Sequence, residues 1–302
     1  MRDMARGSAE MTAAMLISGT IGYFVVLSGQ PVMDVVFWRC VFGAVTLLLI
    51  CAAMGLVGPG VMTRRQFAFA VLGGVAIVLN WLLLFAAYSR ASISMATAVY
   101  NTQPFMLVAL GVMFMGERLT GAKLFWLCLA FVGMLLIVQA KPATGPGADY
   151  LTGIAMALGA AFFYAVAAAV TKKLKGVPPH LIALIQVAVG IVMLAPLGSL
   201  QAPPAGAGPW TMLIVLGVVH TGGMYILLYS AIQRLPTPVV GTLSFIYPIV
   251  AIITDLLAFG HRLELAQIAG AAAILLGAAG MTLGWSIFKR GIHANATTVP
   301  SK

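Results

Sequence analysis

The sequence predicts an all-α polytopic membrane protein whose ten transmembrane helices form two inverted five-helix repeats. Composition, a series of ten apolar runs and the placement of Lys and Arg between them carry that prediction. Hydrophobic residues make up 62% of the chain and charged ones 8%, with a mean hydropathy of +1.05. Soluble domains carry roughly 25% charged residues, so a soluble core is excluded. The net charge of +10 could suggest nucleic acid, but the cations are spread through short segments between apolar runs. Nucleic-acid binding needs a clustered basic face, whereas cations spread between helices are a topological pattern.

The runs are bounded by charges, Pro or Gly and fall at 10–28, 33–54, 67–87, 94–114, 121–138, 151–171, 180–198, 209–229, 237–257 and 264–284. Each is close to the ~20 residues that carry an α-helix across a ~30 Å hydrocarbon layer. They are continuously apolar, whereas barrel strands alternate, so helices are predicted throughout. Span 1 follows the basic start MRDMARG, as a signal peptide would, but the charge pattern works best with it retained as the first transmembrane helix. Cys40, Cys51 and Cys128 lie within runs, show no metal or disulfide spacing and are expected to be small buried side chains. Glu10 and Asp34 fall near span ends and are expected to meet water.

Ten spans place both termini on one side. With that side cytoplasmic, the inner segments hold thirteen cations: Arg2, Arg6, Arg64, Arg65, Arg118, Lys123, Lys172, Lys173, Lys175, Arg234, Lys289, Arg290 and Lys302. The outer segments hold three, Arg90, Lys141 and Arg262, and Arg39 lies inside span 2. This is the positive-inside signature, and adding or removing one helix would scramble it.

The stretches FMGERLTGAKLFW (114–126) and AFGHRLELAQIAG (258–270) are similar turns at corresponding places. An offset of 144 aligns Pro104 with Pro248, Gly116 with Gly260, Arg118 with Arg262, Leu119 with Leu263 and Gly133 with Gly277, with no gap over 88–138 against 232–282. An odd number of helices per half turns the second upside down relative to the first, the inverted-repeat plan of many secondary transporters. The expected domains are residues 1–140, residues 150–285 and a flexible cytoplasmic tail, 286–302.

A Pro partway along spans 4 and 9, a G-E-R-L-type turn and a Gly-bearing helix, found twice, resemble the ten-helix EamA-type members of the drug/metabolite transporter superfamily. The resemblance covers about residues 10–285. His261 departs from the Glu usual in the second turn. The resemblance implies a central cavity with helices five and ten peripheral, in the inner membrane of a bacterium. It also implies export of small metabolites, with exporters of amino acids, aromatic ones included, as the nearest comparison.

Polar groups inside hydrocarbon normally face protein or water, and they mark the candidate site. His220, midway along span 8, can bind a carboxylate, take up a proton or make a structural hydrogen bond. Asn80 and Trp81 in span 3 match Met224 and Tyr225 in span 8, so Trp81 and Tyr225 are expected to clamp an apolar or aromatic side chain beside Asn80. Tyr100, Asn101 and Gln103 lie beside Pro104, and Ser244 and Tyr247 beside Pro248, where each proline frees a carbonyl and kinks its helix. Tyr23 is the candidate from span 1. Arg39 and Asp255 lie at comparable depth: they either pair as an outer gate or as a permanent bridge, or Arg39 snorkels or binds a substrate carboxylate.

The mechanism expected is alternating access around a small metabolite at the midplane, by a monomer in the lipid bilayer. No cofactor or metal is implied. No GxxxxGK[ST] motif appears, so ATP is not the direct energy source, while His220 and Asp255 are candidates for proton coupling. Exchange of a phosphometabolite or nucleotide sugar would need more intramembrane positive charge. A lipid-processing enzyme would need a paired-carboxylate, HExxH or nucleophile arrangement, and the chain has no evident one.

Overall fold

The computed structural model describes residues 2–58, 60–91, 96, 99–139, 150–196, 204–259 and 265–285. Among these residues there is no strand. The helices in chain order are α1 (Arg2–Ser18), α2 (Ile21–Ser28), α3 (Val32–Ala53), α4 (Arg64–Ala91), α5 (Gln103–Met115), α6 (Gly121–Gln139) and α7 (Tyr150–Lys173). They continue with α8 (Pro179–Leu194), α9 (Ala207–Gly217), a π-helical turn (Val218–Gly223), α10 (Met224–Arg234), α11 (Thr237–Ser244), α12 (Ile246–Phe259) and α13 (Leu265–Leu283).

Among the described residues, five stretches are long and apolar enough to cross a membrane: Val32–Ala53, Arg64–Ala87, Leu151–Lys173, Ala207–Arg234 and Thr237–Ala258. Gln103–Met115, Gly121–Leu136, Pro179–Leu194 and Ile268–Leu283 are shorter apolar helices. Helix ends outrun the predicted spans where polar residues continue them: α1 reaches back to Arg2, and α4 runs from Arg64 to Ala91. An apolar run marks hydrocarbon, and a helix need not stop where hydrocarbon does.

Spans 1, 4, 8 and 9 are not uniform α-helices. Span 1 divides at Gly19–Thr20, span 9 divides at Phe245, and in span 4 helix α5 follows a turn at Asn101–Thr102. Positions 101 and 245 are 144 apart, and each stands three residues before a proline, Pro104 or Pro248. Proline lacks an N–H and its ring crowds the carbonyl four residues back, so the carbonyls of Tyr100 and Ser244 lose their ordinary helical donor.

The packing obeys a two-fold exchange of the halves. Helix α4 packs on α7, and the equivalent spans in the other half, α10 and α1, also pack together. Contacts of α4 with α8 are mirrored by α9 with α3, and those of α5 with α7 by α11 and α12 with α1. The pairs α3–α8, α5–α11 and α6–α13 map onto themselves. Individual residues keep the same register. A Cβ placed on Gly133 would stand 2.6 Å from the Gly270 carbonyl, and one on Gly277 would stand 2.9 Å from the Trp126 carbonyl. Adding 144 to Gly133 and subtracting it from Gly270 converts one pair into the other. The same operation converts Gly73 against Gln186 into Gly217 against Phe42, and Gly190 against Val78 into Thr46 against Gly222. Three exchanged pairs over residues 42–277 mean a two-fold axis. With five spans per half, that axis lies in the membrane plane.

At the face carrying the turns after α5, α7 and α10, here the basic face, two carboxylates tie the halves together. Glu117 accepts hydrogen bonds from the Thr237 backbone N–H (2.9 Å) and hydroxyl (2.5 Å) and pairs with Lys172 Nζ at 2.7 Å. Lys172 also donates to the Leu235 carbonyl at 2.5 Å. Glu10 accepts from Arg6 (2.9 Å), Ser230 (2.7 Å) and Arg234 (2.8 Å), joining α1 to α10. The expectation that Glu10 meets water is therefore corrected: its side chain is 13% exposed, because three donors replace hydration. Asp34 is also buried, in the first turn of α3. Of the cysteines, Cys40 and Cys51 are buried, whereas Cys128 is exposed: it lies on the α6 surface turned away from the bundle, where an apolar position needs only lipid.

Where Gly133 meets backbone there is no flexible side chain to yield. Gly133→Ala is expected to lower stability by about 1–3 kcal/mol in thermal unfolding of detergent-solubilised protein. Gly22→Ala, at a position with open space around it, leaves packing unchanged and serves as the control. Burial pushes the Glu117 carboxyl up, but hydrogen bonds from Lys172 and Thr237, with the Lys172 charge, outweigh it and hold the pKa below the usual carboxylate range. A depressed folded pKa contributes stability that is present above the unfolded pKa and lost as pH falls through the folded one. Glu117→Gln is expected to reduce the wild-type advantage at neutral pH and to flatten that acid limb of Tm against pH.

Candidate functional site

Trp81 of α4 and Tyr225 of α10 are repeat mates, and their rings meet edge to face with centroids 6.0 Å apart. A residue that touches its own mate lies on the exchange axis, so the axis passes between these two rings. Both are buried. Tyr225 in turn meets Tyr229 edge to face at 5.1 Å, one helical turn on. The rings therefore touch one another across the axis.

Arg39 stands on this axis pair. Its guanidinium carbon lies 4.5 Å from the centroid of the Trp81 ring, and its Nε donates to the Thr221 hydroxyl at 3.1 Å. It is 2% exposed and does not snorkel outward. Asp255 falls on α12, and its side chain lies outside the described residues. Among the described residues Arg39 is held by a hydroxyl and a π-face. The repeat mate of Arg39 is Ala183, so this charge breaks the two-fold symmetry at its centre.

The hydroxyl that receives Arg39 is presented by the π-helical turn. Thr221 Oγ1 donates to the Leu216 carbonyl at 2.9 Å, five residues back, and His220 Nδ1 faces the Val215 carbonyl at 3.3 Å, also five back. The wider turn needs a close neighbour without bulk. Gly43 supplies it, since a Cβ there would lie 2.7 Å from Thr221 Cγ2. Residues 74–79, the mates of the π turn, belong to the continuous α-helix α4. Single π turns are frequent at functional sites. His220 is buried, with Nε2 2.8 Å from Thr20 Oγ1 and its ring 4.9 Å from that of Phe24. Thr20, at the break of span 1, also donates to the Ile17 carbonyl at 2.8 Å.

On the other side of Trp81, Asn80 is buried and donates to the Ala160 carbonyl (2.8 Å) and the Tyr100 hydroxyl (3.3 Å). The Tyr100 ring meets Tyr164 edge to face at 6.2 Å. Gln103, Pro104, Asn101, Ser244 and Pro248 are buried, while Tyr247 and Tyr23 are half-buried, Tyr23 set edge-on to Phe24 at 5.3 Å. The structure thus joins Arg39, Trp81 and Tyr225 directly, His220 through the π turn, and Asn80 with Tyr100 next to them along α4. Among the described residues, no hydrogen bond or ring contact joins Gln103 or Tyr247 to that cluster.

Sequence reasoning missed Thr221 and Gln186 here, and it set Thr20 aside in favour of Tyr23 as a hydroxyl that bonds to its own preceding turn. Gln186 is 1% exposed; its Oε1 accepts from the Tyr229 hydroxyl, and its Nε2 has no hydrogen-bond partner among the described residues. The available signal was a lone Gln in the apolar run LIALIQVAVG, since an amide at that depth needs a reason. Chemically, the ensemble offers a fixed guanidinium, a free amide N–H₂ and three aromatic rings at the centre of an inverted repeat.

The profile of the EamA-like transporter family matches residues 7–139 and again 151–283. The chain is 29% identical over 289 residues to the uncharacterized transporter YxxF of Bacillus subtilis, covering 95% of this chain and 91% of that one. It is 25% identical over 199 residues to the pseudopaline exporter CntI of Pseudomonas aeruginosa, 65% of this chain and 67% of that. It is 28% identical over 163 residues to the threonine/homoserine exporter RhtA of Salmonella typhimurium, 52% of this chain and 54% of that. A solved crystal structure superposes with a TM-score of 0.80 at 20% identity, covering 92% of this chain and 96% of that one. Two family matches in one chain, on two halves that pack by two-fold exchange, lead to one conclusion: the chain belongs to the EamA-like transporter family.

Proposed function

We propose that this transporter exports amino acids, apolar and aromatic ones included, across the inner membrane of a bacterium, by alternating access about the Trp81–Tyr225 axis. The observation that carries the reading is Arg39: a buried cation whose described partners are one hydroxyl and one ring. Burying a charge without a carboxylate is expensive. A substrate carboxylate on the guanidinium would offset that cost, with its side chain against Trp81 and Tyr225 and a polar atom on the unpartnered Gln186 amide. Rocking the two halves about an axis that runs through the binding residues would expose them to each side in turn.

Orientation follows from charge. The basic face gathers Arg118, Lys123, Lys172, Lys173, Lys175 and Arg234, and the positive-inside rule makes that face cytoplasmic, with both termini on it. The domain limits stay at 1–140 and 150–285. His220 is the candidate for proton coupling: its ring nitrogens face Thr20 Oγ1 and the Val215 carbonyl, two oxygens that a doubly protonated ring would satisfy as a donor to each. The charged group nearest in the bonded cluster is Arg39, one residue away through Thr221. Asp255 stays a second candidate, and Pro104 and Pro248 are the proposed bending points.

Purified protein in liposomes is expected to give saturable counterflow of Phe, Trp, Met or Thr. Counterflow of another solute with none of any amino acid would defeat the substrate assignment. Arg39→Gln should raise the half-saturation concentration by about tenfold or more, the worth of a charge-assisted hydrogen bond, and leave amide analogues of the substrate unaffected. His220→Gln should flatten transport against pH between about 5 and 8, where imidazole titrates; an unchanged profile would remove His220 from coupling.

A further inference from the structure

At the basic face the turns after α5, α7 and α10 line an open cavity of about 530 Å³ that the proposed transport cycle does not use. Six cations line it, Arg118, Lys123, Lys172, Lys173, Lys175 and Arg234, against a single lining carboxylate, Glu117. Glu117 is occupied by Lys172 and Thr237, and Arg234 is paired with Glu10. The cavity is therefore strongly positive after its internal pairs are formed, and an anion is the species it fits.

The wall beside these cations carries exposed apolar side chains. Phe114 lines the cavity and is 60% exposed, and its neighbour Met113 is 71% exposed on the same helix end. Lys173 Nζ lies 5.9 Å from the centroid of the Phe114 ring. A ligand here meets donors at one end and exposed apolar surface at the other, the two halves of a phospholipid. A soluble anion would use the donors and leave the apolar wall unmatched.

The positive-inside rule explains why each turn carries cations. It does not explain why turns from both repeats converge on one concavity with an apolar wall. Nor does the fold demand most of the charge: Arg118 and Arg234 have arginine mates, Arg262 and Arg90, but the mates of Lys172, Lys173, Lys175 and Lys123 are Ser28, Gly29, Pro31 and Gln267. We propose that this cavity binds the phosphate of an anionic phospholipid from the leaflet at the basic face. Arg118, Lys173 and Lys175 donate to the phosphodiester, and the acyl chains run out along Phe114 and Met113. The site does not depend on which solute is carried.

The test uses the full chain in detergent, with Tm measured against added phosphatidylglycerol, phosphatidylcholine or inorganic phosphate. Phosphatidylglycerol is expected to raise Tm by about 5 °C at saturation, phosphatidylcholine to leave it near the starting value, and inorganic phosphate to give a small part of the rise at the same concentration. The triple variant Arg118→Gln/Lys173→Gln/Lys175→Gln, three exposed positions, should keep the wild-type Tm in phosphatidylcholine and lose the phosphatidylglycerol response. Arg64→Gln/Arg65→Gln removes two exposed cations outside the cavity and should keep that response. Equal Tm in the two lipids for wild type, a full rise from inorganic phosphate, or an undiminished response in the triple variant would each overturn the proposal.

Discussion

Hydrocarbon offers no hydrogen-bond partner, so every departure from the α-helix inside this chain has to be repaid by the chain itself. That constraint organises the site. The π turn at Val218–Gly223 shifts the donors of His220 and Thr221 to carbonyls five residues back, and the room it needs comes from Gly43 on α3. Once formed, it turns the Thr221 hydroxyl toward Arg39. The breaks before Pro104 and Pro248 obey the same rule, each located by a missing N–H.

Symmetry and its violations divide the structure between scaffold and chemistry. The scaffold is symmetric: glycines meet neighbours in exchanged pairs, and α6 and α13 close on each other. The chemistry is not. Arg39 has an alanine as its mate, the π turn has a regular helix, and the four lysines of the basic face have neutral residues, although Arg118 and Arg234 have arginines. An inverted repeat with two identical ends would have no reason to prefer a side; these substitutions give it one. The Glu117 and Glu10 networks fasten one end, and the position matching Glu117 at the other end is His261, outside the described residues.

The fold was legible because the signals behind it are one-dimensional. Span length, the Lys and Arg distribution and the spacing of Pro, turn and Gly each survive without knowing what touches what. Trp81 and Tyr225 were legible as mates for the same reason, since the 144 offset is a property of the chain alone. Thr20 and Thr221 were not: a hydroxyl in a span reads as bonded to its own preceding turn, and both do make that bond before reaching His220 and Arg39.

By itself the sequence determined that the chain is a membrane protein of two inverted repeats with its cations gathered between spans, since hydropathy, charge placement and repeat offset act locally along the chain. The tertiary structure alone decided that Arg39 leans on Trp81 and Thr221, that Glu10 is half-buried among three donors, and that Gln186 keeps an amide unpartnered among the described residues. The physical reason is that a buried polar group chooses its partner by distance and direction, and both are set only when helices far apart in sequence pack to within a few ångströms.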